Sequence, residues 1–224
     1  MAAGDYAIRI CLMISIVPEL QNVVRLGVLK IEQLRVEESS EELRTLLKDL
    51  AEETEKRYRD VPLGEISTVR KIRTIFHRAG LDPTRYRPSS ESLLRRAVKG
   101  KGLYFINSVV DLVNYLSLKT LWPMGLYDAN RLKPPIALRI GCEGESYQGI
   151  GRDQLNLAHF PLLVDREGPF GSPVSDCIRT RVTAGCNHVL WVTFAPLATD
   201  IPLDEFSNTM IRFNGGVVTE SVQT

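Results

Sequence analysis

Apolar positions follow a different rhythm in each part of the chain. Ile8, Ile10, Leu12, Ile14 and Ile16 alternate with Arg9, Cys11, Met13 and Ser15, which predicts a strand over 8–17. Pro18 and Glu19 break it, and Val23–Ile31 reads as a second strand interrupted by Gly27. Helical spacing then takes over. Leu43, Leu46, Leu47 and Leu50 form a core stripe behind Ser39-Ser40-Glu41-Glu42, a capping box with Ser39 as the cap. Ser67 or Thr68 caps the next helix, with Val69, Ile72, Phe76 and Ala79 inward and Gly80 at its end. A linker at 82–88 leads to another Ser-capped helix, Ser90 to Val98.

The central helix starts at Asn107, whose side-chain oxygen suits an N-cap. Val109, Val113 and Leu116 repeat at helical spacing to residue 119. Pro123 stops the pattern, and Met124–Asp128 reads as a loop. After Asp128 come short strands at 136–140, 146–150, 162–165, 178–182 and 189–194, with turn signals between them. Leu203, Phe206, Met210 and Phe213 mark a closing helix ended by Gly215-Gly216. This order predicts an α/β (α+β) class: helices packed on a mixed β-sheet, helix-rich first half, strand-rich second half. The isoleucine face of the first strand requires burial, so strands 8–17 and 23–31 should join the later strands, with helix 107–119 against them.

Asn107, Asp111, Asn114 and Ser117 share one helical stripe. A solvated face is the first account of such a stripe; asparagines at a helix start and further along it could instead point at a ligand. Composition narrows little. With 224 residues and 44% hydrophobic content, one substantial domain or two small, closely packed ones are expected. The charge is balanced, 28 basic against 27 acidic, so the overall field selects no partner. Its distribution is less even. Residues 70–101 hold ten basic and two acidic residues, a net of +8, leaving 18 basic and 25 acidic elsewhere. That polarity fits a phosphate-binding surface, and scattered solvated helix faces would give the same count.

Other chemistry is poorly represented. Cys11, Cys142, Cys177 and Cys186 lack C-x-x-C spacing, which implies free thiols in a reducing compartment and no metal site. The apolar run from Ile8 to Val17 is short and carries Arg9, so it reads as neither a membrane span nor a signal peptide, and a cytoplasmic location is the default. Gly149-Ile150-Gly151 lacks the third glycine of a dinucleotide loop, and neither a phosphate-binding loop nor a G-x-S-x-G elbow occurs. His77, His159 and His188 have no partners at ligand or triad spacing. No cofactor is expected.

Ile106-Asn107-Ser108-Val109-Val110-Asp111-Leu112-Val113-Asn114-Tyr115, followed by Pro123-Met124-Gly125-Leu126-Tyr127-Asp128, resembles the B3/B4 domain, the editing module of the bacterial phenylalanyl-tRNA synthetase β subunit. That family carries I-N-N-V-V-D-x-x-N-Y and then P-L-H-A-F-D. The resemblance runs over about 65–195, through Ile136–Arg139, Gly144-Glu145, Thr180–Thr183 and Val189-Leu190. Pro88–Glu91 and Leu94–Arg96 look more like free-standing members. The resemblance implies one B3/B4-like domain over 1–224, with N-terminal strands and helix (1–64), a core (65–195) and a C-terminal helix (196–224). It implies hydrolysis of an ester joining an amino acid to the 3′ end of tRNA, in trans, because no synthetase catalytic core fits this length. Such an ester is already activated, so positioned water and a stabilised carbonyl oxygen suffice.

Carried over by motif, the amino-acid pocket takes Asn107, Asn114, Gly125 and Asp128, with Glu145, Asp176, Arg179 and Thr180 from the strand-rich half. Arg87, Arg95, Arg96, Lys99 and Lys101 would hold tRNA phosphates, with neither DNA nor membrane as a partner. No residue is assigned a catalytic role, and the oligomeric state is left open. The family histidine is replaced by Gly125, and Ser175–Thr180 offers no counterpart to a tyrosine-recognising glutamate. These departures keep a second reading open: a non-catalytic module binding tRNA, other RNA or an amino acid. The central helix is about 18 Å long, so its start and the 125–128 segment meet only if the chain doubles back after Pro123. The cavity would then be closed by 139–145 and 176–180, with Gly125 facing it, and Gly125→His should alter which esters are accepted or abolish turnover, while leaving stability nearly intact.

Overall fold

The computed structural model describes residues 14–151 and 153–224. Its first half holds β1 (Ser15–Ile16), α1 (Pro18–Gln21), β2 (Val24–Glu32), α2 (Glu41–Tyr58), α3 (Ser67–Ala79), α4 (Ser89–Val98) and α5 (Ser108–Thr120). Then come β3 (Met124–Asp128), β4 (Ala137–Ile140), β5 (Ser146–Gln148), β6 (Gln154–Asn156), β7 (Pro161–Asp165), β8 (Gly168–Gly171), β9 (His188–Pro196), α6 (Leu203–Asn214) and β10 (Val217–Gln223). One four-stranded sheet has the order β10-β2-β9-β3, antiparallel throughout. A second has the order β1-β4-β7-β8, with β1 parallel to β4 and the other pairs antiparallel.

Strand β9 explains the layering. Val189, Trp191 and Ala195 point into a core with Leu43 of α2, Leu112 of α5 and Phe206 of α6. Leu190, Val192 and Phe194 point the other way, onto Leu138, Leu162 and Phe170 of the second sheet and Phe76 of α3. A strand covered on both faces has no polar alternation, hence its continuous apolar run. Each large side chain buried there contributes about 1.5–3 kcal/mol. A smaller core of Ala51, Val69, Leu94, Ala97 and Leu118 joins α2, α3, α4 and α5. The protein is thus a mixed α/β structure: α2, α5 and α6 on one face of a sheet, a second sheet and α3 on the other, and α5 against β3.

Several local expectations change. Of the strand expected at 8–17, positions 8–13 lie outside the described residues, and Ser15–Ile16 pairs with Ala137–Leu138. Ser40, not Ser39, caps α2, accepting from the Leu43 N–H. Ser39 is buried and donates to Asp111 Oδ2 at 2.5 Å, so its hydroxyl serves α5 instead. No side chain caps α3 or α4; Ile66 and Pro88 hold those positions. Gly80 does close α3, at φ +83°. Residues 178–182 are not a strand but contain a 3-10 turn, Ile178–Thr180, where Cys177 Sγ accepts from the Arg179 N–H.

The expected loop at 124–128 is strand β3. Leu121 takes the left-handed conformation at φ +59° and ends α5. The Ser117 hydroxyl donates to the Trp122 carbonyl at 2.7 Å, tying the reversal together. The chain then pairs with β9 from Met124↔Thr193 to Asp128↔Val189. Glycine and aspartate are poor strand formers, which hid this element.

Candidate substrate groove

Because β3 returns beside α5, a groove of about 300 Å³ lies between them. Side chains alternate along a strand, so Met124 and Leu126 line it while Tyr127 belongs to the inter-sheet core. Val110 and Val113 of α5 complete the apolar wall. Ile106 and Ile150, both exposed, stand at the rim. Four polar side chains enter this surface: Asn114, Asp176, Arg181 and Thr183. A mostly apolar concavity with a few convergent polar groups is the usual form of a small-ligand site.

Asp176 has the most perturbed chemistry of the four. Burial pushes its carboxyl up to about 7, against hydrogen bonds from Tyr127 and the backbone of Leu126 and Ser172. The Tyr127 hydroxyl donates to Asp176 Oδ1 at 2.8 Å. Tyr127 is itself fully buried, edge-on to Phe170 with centroids 4.8 Å apart. Burial first, then the Asp176 charge, holds its phenol well above the usual range. A carboxyl poised near neutrality beside a groove can accept a proton from water or balance an ammonium group.

The residues carried over by motif divide. Asn114 and Asp176 line the groove. Asn107 occupies its own N-cap, accepting from the Val110 N–H at 2.9 Å. Gly125 does not face the groove: a Cβ there would overlap the Tyr127 hydroxyl and stand 2.6 Å from its Cζ. Gly171 of β8 meets the same ring. The two glycines make room for a tyrosine, not for substrate. Asp128 accepts from the Asn130 N–H and pairs with Arg131 at 3.4 Å. Glu145 pairs with Arg139 at 2.5 Å and accepts from the Cys142 N–H. The Arg139 hydrogen bond holds its carboxyl below the usual range, and neither 139–145 nor Thr180 borders the groove. Arg179 pairs with Asp165 and Glu167 at 2.9 and 3.0 Å. Thr180 is fully buried against the Phe170 carbonyl.

The polar stripe of α5 is not a solvated face. Asp111 is buried, takes the Ser39 hydroxyl and accepts from the Ile106 N–H at 2.8 Å. Ser117 is buried in the reversal, and of the four stripe residues only Asn114 reaches the groove. Val110, Val113, Met124, Leu126 and Arg181–Thr183 were not assigned to the pocket from sequence. All lie in or beside matched motif segments, but alternation along β3 was needed to select them.

The basic cluster also divides. Arg95 is drawn onto Glu91 at 3.0 Å, and Glu91, 1% exposed, also holds Arg73 through two bonds. Burial pushes the Glu91 carboxyl up, but hydrogen bonds from Arg73 and Arg95 outweigh it and keep it below the usual range. Arg96 stacks on Tyr104 and donates to its hydroxyl. Arg87, Lys99 and Lys101 are exposed, and among the described residues none of the three enters an ion pair.

A helix-covered double sheet with an amphipathic groove between α5 and β3 defines an α/β protein with a concave, mostly apolar surface of mixed chemistry. Comparison makes the class specific: the model of the B3/4 domain matches residues 71–200, more than half of the chain, and the chain belongs to that family. The phenylalanine–tRNA ligase β subunit of Bartonella henselae is 27% identical over 136 residues, 58% of this chain and 17% of that protein. The same subunit of Rickettsia conorii is 38% identical over 69 residues, 31% of this chain and 8% of that protein. The chain therefore spans less than a fifth of the length of these relatives. An N-terminal fragment of the phenylalanyl-tRNA synthetase β subunit from Pyrococcus horikoshii is 14% identical, with a TM-score of 0.49, over 95% of this chain and 54% of that one. The chain is a tRNA-synthetase-related domain. Among the described residues no helix is long and apolar enough to cross a membrane.

Proposed function

We propose that the groove between α5 and β3 receives the aminoacyl 3′ end of tRNA and hydrolyses the ester of a wrongly attached amino acid, in trans and in the cytoplasm. The observation that carries this reading is the make-up of the groove: apolar side chains on both long walls, with Asn114, Asp176 and Thr183 reaching it. An amino-acid side chain fits against Val110, Val113, Met124 and Leu126. Asp176 balances the α-ammonium group or takes a proton from the attacking water. Water adds to the ester carbonyl, the ribose oxygen leaves with a proton, and free amino acid and tRNA result. Asn114, Arg181 and Thr183 are the polar donors available to the developing oxyanion. Arg87, Lys99 and Lys101 bind phosphates and so position the RNA without reading it.

The test is a deacylation assay against a panel of mischarged tRNAs, with Asp176→Asn and Asn114→Ala as variants. Turnover of at least one ester that both variants lower by tenfold or more is expected. Tight tRNA binding without turnover of any ester would assign the chain to the non-catalytic module instead.

A further inference from the structure

Tyr104, Phe105 and Ile106 are consecutive, large and exposed, at 61%, 41% and 62% of their surface. Single exposed apolar residues need no explanation, but three large ones in consecutive positions do. Cations border these rings. The Arg96 guanidinium lies 3.7 Å from the Tyr104 centroid and donates to the Tyr104 hydroxyl at 2.9 Å. It also donates to the Lys101 carbonyl at 3.2 Å, so the ring is fixed to the end of α4. The Arg44 guanidinium lies 5.3 Å from the Phe105 centroid. The strip runs from Tyr104, close in sequence to the exposed Lys99 and Lys101, to Ile106, which lines the groove.

We propose that Tyr104 and Phe105 form a stacking platform for the unpaired bases of an RNA 3′ end on its way into the groove. This rests on the reading of the groove as an aminoacyl-ester site. Unpaired bases offer apolar faces that stack on aromatic rings whatever their sequence, while cations hold the adjoining phosphates. Three residues reach at most about 10 Å, close to the rise of three stacked bases at about 3.4 Å each. The same juxtaposition of cations and rings suits a polyanion with exposed planar faces. It suits an apolar protein surface less well, because that would have to desolvate the surrounding charges.

The experiment compares binding of one tRNA with an intact 3′ end and the same tRNA trimmed of its unpaired 3′ nucleotides, for the parent and for Tyr104→Ala/Phe105→Ala. Stacking at the strength usual for single strands makes the double variant about tenfold or more weaker on intact tRNA. On trimmed tRNA it should match the parent, and Tyr104→Trp with Phe105 retained should bind intact tRNA as tightly as the parent. Deacylation of a mischarged tRNA by the parent is measured alongside. If the parent turns over ester while the double variant binds intact tRNA equally well, the platform is wrong and the groove reading stands. Equal weakening on both tRNAs also overturns the platform. If the parent neither turns over ester nor prefers intact tRNA, both readings fall together.

Discussion

The Tyr127 hydroxyl and Asp176 Oδ1 meet at 2.8 Å, joining β3 to the segment after β8 where both approach the groove. The position of this tyrosine links features that look unrelated along the chain. Gly125 and Gly171 lack side chains because the Tyr127 ring occupies that space. The carboxyl of Asp176 is held beside the groove at a fixed angle. Burial raises the pKa of that carboxyl, and the Tyr127 hydrogen bond works against the rise.

Asp176 makes stability depend on pH in a defined direction. Its carboxyl titrates near 7 in the fold and near 3.8 when unfolded. Between those values the folded state holds a proton that the unfolded state has released. Its contribution to stability is therefore greatest on the acid side and falls as pH rises from about 4 to 7. The melting temperature of Asp176→Asn relative to the parent should be higher at pH 8 than at pH 4. Comparing variant with parent cancels Glu91 and Glu145, whose lowered values act in the opposite sense. An identical melting difference at both pH values would show that Asp176 titrates normally.

Gly125 should tolerate no side chain. Alanine there drives a Cβ into a fully buried tyrosine, and overpacking of this kind costs about 1–3 kcal/mol. Melting should fall by several degrees for Gly125→Ala and further for Gly125→His, opposite to the stability expected from the motif alone. A Gly125→His variant as stable as the parent would place β3 wrongly.

The periodicity of the chain made most of the fold legible. Strand β2, the helical faces and the long apolar run of β9 each follow from one-dimensional spacing. What it concealed was direction. Strand β3 reads as a loop because Pro123, Gly125 and Asp128 are turn residues by type, and only Leu121 at φ +59° sends them into the β9 ladder. The same limit governed the site. A motif identifies the residues near a groove, yet alternation along β3 assigns Leu126 to the groove and Gly125 to the core. Of eight substrate residues read from motif, Asn114 and Asp176 reach the groove. Glu145 and Arg179 were expected to meet a ligand, and each instead satisfies a neighbour of opposite charge. Spacing along a chain carries no information on that choice.

Glu91 should prove a stability residue despite lying in the basic segment. It is almost wholly buried and receives hydrogen bonds from Arg73 and Arg95. Glu91→Ala strands Arg73, whose side chain is 18% exposed, and removing one partner of a buried pair costs about 3–5 kcal/mol. Urea denaturation measures this directly. A destabilisation below about 1 kcal/mol would mean that Arg73 re-solvates freely.

Phosphate binding should come from a subset of the basic residues. Reversing Arg95 places a second carboxylate beside buried Glu91, so weaker RNA binding in that variant would report damage to α4. Reversing Arg96 disturbs Tyr104 as well. Arg87, Lys99 and Lys101 are free of both complications, being exposed and outside the ion pairs described. The triple variant Arg87→Glu/Lys99→Glu/Lys101→Glu should melt with the parent and bind every tRNA more weakly by a similar factor. The slope of log affinity against log salt should become shallower by about 0.7–0.9 for each phosphate that the variant no longer neutralises. An unchanged slope with unchanged affinity would assign the +8 segment to an ordinary solvated surface and send the search for the RNA path elsewhere.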